Sequence, residues 1–258
     1  MIRLVSLSSG SCGNAVYVES ARTKILIDSG TTLKYLGEHL ATLGTKIDEI
    51  EAILLTHEHS DHIRSAHSLS RKYGIKILAN ADTLDALPAR FGVANIRVFP
   101  GGGDFFQVGD FEVQAVPHSH DCRSPVGFVL RHNKKKICIA TDLGCVTSLV
   151  EDGLRGAHIV VLESNHDFIM LAEGHYPPHL KARISSKVGH LSNTMAGRTL
   201  ARLATGKSQK VLLAHLSQSN NSPAVAMKTV EGILSNNNID SIELGIAPRL
   251  APSITLTA

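Results

Sequence analysis

The sequence predicts an α/β fold, a four-layer αββα sandwich of two packed sheets with helices on their outer faces. Three observations predict it. Strand-like runs open each half of the chain, helix-period and strand-like runs then alternate in each half, and 43% of the 258 residues are hydrophobic. That length and apolar content suit one large domain over residues 1–258. Periodicity by itself supports a mixed α/β class; the repeated order of elements supports the layers.

The elements follow in order. Ile2 to Leu7 is apolar and β-rich, and the turn SSGSCGN leads to strands at Ala15 to Glu19 and Thr23 to Ile27. The last runs into Asp28, Ser29 and Gly30. A helix is expected from Leu33 to Leu43, closed by Gly44. Ile47 to Ile50 leads into a short buried strand, Ala52 to Thr56, which delivers the chain to HEHSDH. A helix over Ile63 to Lys72 stops near Gly74, before the strand IKIL and a short helix at Asp82 to Leu87. From Asn95 to Val116, Gly-rich turns alternate with short strands. VGFVLRH and KKICIATD flank Asn133 as a hairpin. Strands then fall at Ala157 to Leu162, Lys210 to Ala214 and Ile242 to Ile246, with helices at Asn193 to Leu203 and Ala224 to Leu234. No low-complexity linker or short-period repeat interrupts them.

Composition excludes several classes. Charged residues make up 19%, too few for a disordered or coiled-coil chain. Aromatics are scarce and Trp is absent, so no stacking platform for single-stranded nucleic acid is visible. A net charge of +3 permits a polyanionic substrate without demanding one. Lys134, Lys135 and Lys136 suit a solvated hairpin tip. Four cysteines without a CxxC pair make no disulfide framework, which fits a reducing compartment. MIRLVSLSSG lacks an apolar run of signal-peptide length, and no segment reaches the roughly 18 apolar residues that span a bilayer. The expectation is a cytoplasmic protein with no membrane partner.

The chemistry concentrates in His57, Glu58, His59, Ser60, Asp61 and His62. Imidazole and carboxylate are the ligands that Zn²⁺ and similar cations prefer. The i, i+2 spacing points His57 and His59 the same way on an extended chain. Asp61 and His62 lie where the chain turns into the next helix. One loop thus offers a His pair to one cation and an Asp/His pair to another. A His-rich polar loop without a metal is the competing reading, and three His with an Asp directly after a buried strand argue against it.

HEHSDH resembles the HxHxDH signature of the metallo-β-lactamase superfamily. SSGSCGN, SHD at Ser119 to Asp121, ESNHD at Glu163 to Asp167, GHLSN at Gly189 to Asn193 and HLSQSNN at His215 to Asn221 together resemble the YycJ (WalJ) family within it. Those bacterial proteins are considered nucleases. The resemblance implies two divalent cations, Zn or Mn with Fe possible. His57, His59 and His120 would hold one, and Asp61, His62 and His215 the other. Asp142 would bridge both, and water between them would be the nucleophile. His118 competes with His120 for its place. Asp61 is also expected to orient that water, and Asp28 to hydrogen-bond a ligand His from behind. His190 is expected to touch the scissile phosphate or assist the leaving group. Glu163 and His166 are expected to line the cleft, with Ser192 and Asn193 beside a bound phosphate or capping the helix that follows.

The function this implies is phosphodiester hydrolysis, with a nucleic acid as substrate, DNA before RNA, and exonuclease action. Lys181, Arg183, Lys187, Arg198 and Arg202 are cations that fit it. The chain between Asp142 and His190 is too short for a large inserted cap, which disfavours tRNA 3′-processing. Thioester or other acyl hydrolysis of the glyoxalase II type is the alternative, since the same cations polarise a carbonyl. A metal-stabilised scaffold without activity is a third reading. Nothing in the sequence fixes an oligomeric state.

Overall fold

In the computed structural model, which describes residues 1–93, 95–100 and 103–258, the described residues form two seven-stranded mixed sheets. The first contains β1 (Arg3–Ser8), β2 (Ala15–Glu19), β3 (Lys24–Ile27), β4 (Ala52–Leu54), β5 (Lys76–Ala79), β6 (Ile96–Val98) and β14 (Leu256–Thr257). β14 pairs with the free side of β1, and the others follow in chain order. The second contains β7 (Phe105–Val108), β8 (Phe111–Pro117), β9 (Val126–His132), β10 (Lys135–Ala140), β11 (Ile159–Glu163), β12 (Gln209–Ala214) and β13 (Ile242–Ile246), again in chain order. Both sheets begin antiparallel and end parallel, from β3 to β6 and from β10 to β13.

The crossovers are helical: α1 (Leu33–Thr42), α2 (Ser60–Ile63), α3 (Ala66–Tyr73) and α4 (Ala81–Ala86) in the first half. α5 (Ser148–Leu154), α6 (Phe168–Glu173), α7 (Pro178–Ile184), α8 (Asn193–Leu203) and α9 (Pro223–Asn236) serve the second.

The two-residue period of a strand divides the core into layers. Ile137, Ile139, Ile159, Val161, Leu212 and Ala214 join the apolar residues of the first sheet in one cluster. Their neighbours Cys138, Ala140, Val160, Leu162, Val211 and Leu213 pack instead with α5, α8 and α9. Strands buried on both faces need continuous apolar runs, and IVVL and VLLA supply them. Burial also raises the Cys138 thiol pKa to about 12, which keeps it an inert packing group. Among the described residues no helix is long and apolar enough to cross a membrane.

Three differences from the sequence reading have physical causes. The helix expected over Ile63 to Lys72 is broken between α2 and α3, because backbone groups there bond sideways. Ser29 N–H donates to His62 O (2.8 Å), and Ser65 N–H donates to Ser29 O (2.9 Å). α7 went unexpected because Pro177 and Pro178 look like a break; Pro178 in fact occupies the first turn, where a missing N–H costs nothing. α5, α6 and β14 are too short to carry a clear period. The Gly-rich turn expected within Asn95 to Val116 lies partly at residues 101–102, outside the described residues.

The contact that seats HEHSDH runs through Gly30. Asn14 N–H donates to Asp61 O and Gly30 N–H to Asn14 O, both at 2.8 Å. This lashes the SSGSCGN turn to the Asp28–Gly30 turn and to the histidine loop. A Cβ on Gly30 would sit 1.5 Å from Asp61 O and 2.7 Å from Asn14 N. Gly30→Ala is expected to cost about 3 kcal/mol or more, a Tm loss of roughly 10 °C. Thermal unfolding measures it, and a Tm within a degree or two of the parent would refute this packing.

Candidate metal centre and active site

Seven side chains converge, six of them from the carboxyl ends of strands in the parallel parts of the sheets, where open α/β sheets bind ligands. His57, His59, Asp61 and His62 follow β4, Asp142 follows β10 and His215 follows β12, while His120 comes from the loop after β8. Asp28, Asp142 and His215 turn off their strands with φ of +62°, +56° and +55°. Asp and His tolerate this left-handed region better than most residues, at roughly 1–3 kcal/mol each. The conformation stops the strand and redirects each side chain across the sheet edge.

His57, His59 and His120 form one group of donor atoms lying within 4.8 Å of one another, and Asp61, His62 and His215 form another. Asp142 reaches both. Its Oδ2 is 3.3 Å from His62 Nε2, and its Oδ1 is 3.4 Å from His215 Nδ1 and 3.8 Å from His120 Nε2. His57 Nε2 and His59 Nδ1 are 3.0 Å apart, near the ~3.3 Å edge expected between two ligands of a tetrahedral zinc site.

Hydrogen bonds decide which imidazole nitrogen is free. His62 Nδ1–H donates to Asp28 Oδ2 (2.7 Å), and His120 Nδ1–H donates to Gly189 O (3.0 Å). His215 Nδ1–H donates to Glu163 Oε1 (2.9 Å). Thr56 Oγ1–H donates to Asp28 Oδ2 (2.8 Å) and so accepts from His57 Nδ1–H (2.9 Å). In all four rings Nδ1–H is committed and Nε2 is the remaining nitrogen; His62 Nε2 lies 3.0 Å from Asn14 Nδ2, and His57 Nε2 lies against His59. His215 Nε2 and Asp142 Oδ2 are buried with no hydrogen-bond partner among the described residues. An orphaned buried nitrogen and carboxylate oxygen are costly, and a divalent cation would satisfy both. The donor set fits such ions.

The buried carboxylates make this a pocket for positive charge. Burial opposes charge on His62, but the adjacent Asp28 and Asp142 carboxylates outweigh it and raise its pKa well above the ordinary value. Burial also opposes charge on Asp142, yet His215 and His62 hold its pKa far below the carboxylate range. His57 lacks a carboxylate bond of its own, and burial lowers its pKa.

Other expected residues take different places. His118 is buried, and its Nδ1–H donates to Thr141 O (3.1 Å); His120 is the one gathered with His57 and His59. Glu163, expected to line the cleft, is 0% exposed instead. Its oxygens accept from His190 Nδ1 (2.7 Å), His215 Nδ1, Leu143 N (2.9 Å) and Leu191 N (3.3 Å). Four N–H donors leave it no capacity for substrate; it orients two histidines. Asn193, also expected beside substrate, is fully buried and bonded to Ser164 and Asn221. His166 is buried, and its Nδ1 has no hydrogen-bond partner among the described residues. Ser192 caps α8 by accepting from Met195 N (3.3 Å). His190 is half-buried beside Glu163 and lines a 210 Å³ cavity with Asp121, Tyr176 and Arg183.

Sequence reasoning missed Thr56, Asn14, Ser9 and Asn165 as supports. Asn14 Nδ2–H donates to Asp61 Oδ2 (3.3 Å), Ser9 Oγ accepts from His215 N–H (2.7 Å), and Asn165 Nδ2–H donates to His215 O (2.8 Å). For Asn14, Ser9 and Asn165 the signal was the SSGSCGN and ESNHD motifs, whose polar residues lacked an assignable direction; Thr56 stands directly before the histidine loop. Asp28→Asn is expected to lower metal affinity by about 10–100-fold, because it weakens the bond that fixes the His62 ring. A competitive chelator titration measures this, and unchanged affinity would refute the orienting role.

Comparison with known proteins agrees with the geometry. A family model described as the beta-lactamase superfamily domain matches residues 23–216. The chain belongs to that superfamily and is a metal-dependent hydrolase. It is 36% identical to exodeoxyribonuclease YycJ of Bacillus anthracis, over 88% of this chain and 87% of the relative. It is 33% identical to exodeoxyribonuclease WalJ of Streptococcus pneumoniae, over 93% of this chain and 89% of that one. Within the superfamily the chain is a member of the YycJ/WalJ family. The metallo-beta-lactamase fold protein YhfI of Bacillus subtilis superposes with a TM-score of 0.73 at 15% identity, covering 99% of this chain and 98% of that structure, which shows the fold.

Proposed function

We propose that the chain is a phosphodiesterase acting on DNA ends, an exodeoxyribonuclease, with two divalent cations, Zn or Mn. The family relatives named as exodeoxyribonucleases support the substrate. His57, His59 and His120 would hold one cation, Asp61, His62 and His215 the other, and Asp142 both. When bound, such a pair neutralises charge on a phosphodiester and acidifies water.

The observation that carries the reading is His190. It stands 3.8 Å from Asp142 Oδ1 and faces a cavity, with its Nδ1–H given to a buried carboxylate. Burial opposes charge on its ring, but Glu163, helped by Asp142 and Asp121, raises the pKa to about 9. That direction favours a second proton at Nε2, the nitrogen that Glu163 leaves free. When water attacks the phosphorus, the sugar oxygen of the broken P–O bond leaves as an alkoxide that needs such a proton. Asp61, partly exposed at the edge of the ligand set, is the base that would orient the attacking water.

The test is hydrolysis of labelled single- and double-stranded DNA and RNA, and of a thioester, each with Zn²⁺, Mn²⁺ or Mg²⁺. Stepwise release of nucleotides from DNA is expected. Hydrolysis of the thioester with every nucleic acid left intact would overturn the reading and favour an acyl hydrolase.

A further inference from the structure

Two cavities flank the ligand set. One, of 210 Å³, is walled by Tyr176, Leu180 and Arg183, and reaches Asp121 and His190. The other, of 260 Å³, is lined by Gly30, Ser60, Asp61, Arg64 and Arg90. Ser11 lines both. Its turn is the shared lip of one groove, with Asp121, the neighbour of His120, on one side and Asp61 on the other.

The two sides differ in the state of their cations. Arg183 is committed to Asp121, with Nε 2.5 Å from Oδ2. Arg64 and Arg90 are both exposed. Among the described residues, the arginines in ion pairs are Arg3, Arg131, Arg183 and Arg202. Arg64 and Arg90 thus face the groove without a carboxylate partner. The Arg90 guanidinium lies 5.5 Å from the Phe91 ring, and that ring is buried and 5.6 Å from His67 on α3. This packing steadies Arg90 on its turn while its donors stay free. The one carboxylate in this cavity is Asp61, whose charge belongs to the proposed ligand set.

A compact acyl substrate needs one cavity. A chain of phosphates can occupy both, with its scissile bond at the ligand set and its continuing backbone over the second cavity. We infer that Arg64 and Arg90 grip the backbone phosphates of the polynucleotide beyond the bond being cut; this rests on the nuclease reading above. Guanidinium forks suit phosphate oxygens, and contacts of this kind carry no base specificity.

The test is binding of a phosphorothioate DNA strand of about twelve nucleotides to the metal-loaded protein, followed by anisotropy between about 50 and 200 mM salt. Each phosphate contact on a single strand contributes about 0.7 to the slope of log affinity against log salt. Arg64→Ala and Arg90→Ala are each expected to reduce the slope by about that amount, and the double variant to bind at least ~10-fold more weakly. Lys207→Ala removes the same charge just ahead of β12, at the opposite end of that strand from His215, and is expected to keep the wild-type slope. In cleavage of unmodified DNA, the double variant should lose more kcat/KM on the long strand than on a dinucleotide. A double variant with the wild-type slope, or with equal losses at both lengths, overturns the groove assignment alone. A wild-type protein that neither cleaves DNA nor binds it in a salt-dependent way overturns the nuclease reading, and the groove falls with it.

Discussion

Asp142→Asn is expected to reduce hydrolysis by at least ~10³-fold and to lower the metal content of the purified protein. The carboxylate is buried, and one of its oxygens has no hydrogen-bond partner among the described residues. Its two oxygens lie within 3.3–3.8 Å of ring nitrogens from both donor groups. A shared carboxylate is what lets two cations approach, because its charge screens their repulsion. Loss of that charge forfeits several kcal/mol, and each 1.36 kcal/mol is about tenfold in rate. Asn is the informative replacement. It keeps the shape and accepts the left-handed backbone at φ +56°, whereas Ala would add backbone strain to the loss of charge. Elemental analysis, steady-state rates and circular dichroism on one preparation separate the effects. A folded Asn variant with metal content and rate within twofold of the parent would show that Asp142 does not serve both groups.

How much was legible in the sequence follows from how local each signal is. The histidine loop is local: four donors within six residues, delivered by a buried apolar strand, declare themselves without a structure. Asp28, Asp142 and His215 stood out as candidates because each ends an apolar run, and a strand end is where such a sheet can present ligands. Their left-handed backbone was not legible, since nothing beside residue type marks it. Glu163 shows where local reasoning stops. ESNHD announces a polar segment after a strand, but its direction is set by His190 and His215, 27 and 52 residues away. A carboxylate that orients two histidines and one that lines a cleft have the same local sequence. Asn14 escaped for the same reason: its partner Asp61 is 47 residues distant, across the close approach that Gly30 permits.

His190→Ala is expected to lower kcat by about 10²–10⁴-fold while the metal content stays near that of the parent. The two readouts are separable because the Nδ1–H of His190 is spent on Glu163 and the two proposed ligand groups do not include its ring, although a donor atom of that ring also lies within 4.8 Å of donors on Asp142, Glu163 and His215. Glu163→Gln tests the same assignment through pH. Burial alone would lower the His190 pKa; the Glu163 carboxylate is the main influence raising it to about 9. Cations in the neighbouring ligand groups repel a charged ring and pull that value down, so the carboxylate is what keeps a proton there. A group that must be protonated to act gives a rate that falls as pH rises through its pKa. Neutralising Glu163 lowers that pKa, so the alkaline limb of kcat should move to lower pH, with less change in rate on the acid side. A base role for His190 would move an acid limb instead, because a base acts only above its pKa. Should His190→Ala strip the metals, the ring would be a ligand. His215, which shares the same Glu163 oxygen, would then be the residue to reconsider as the last donor of the second group.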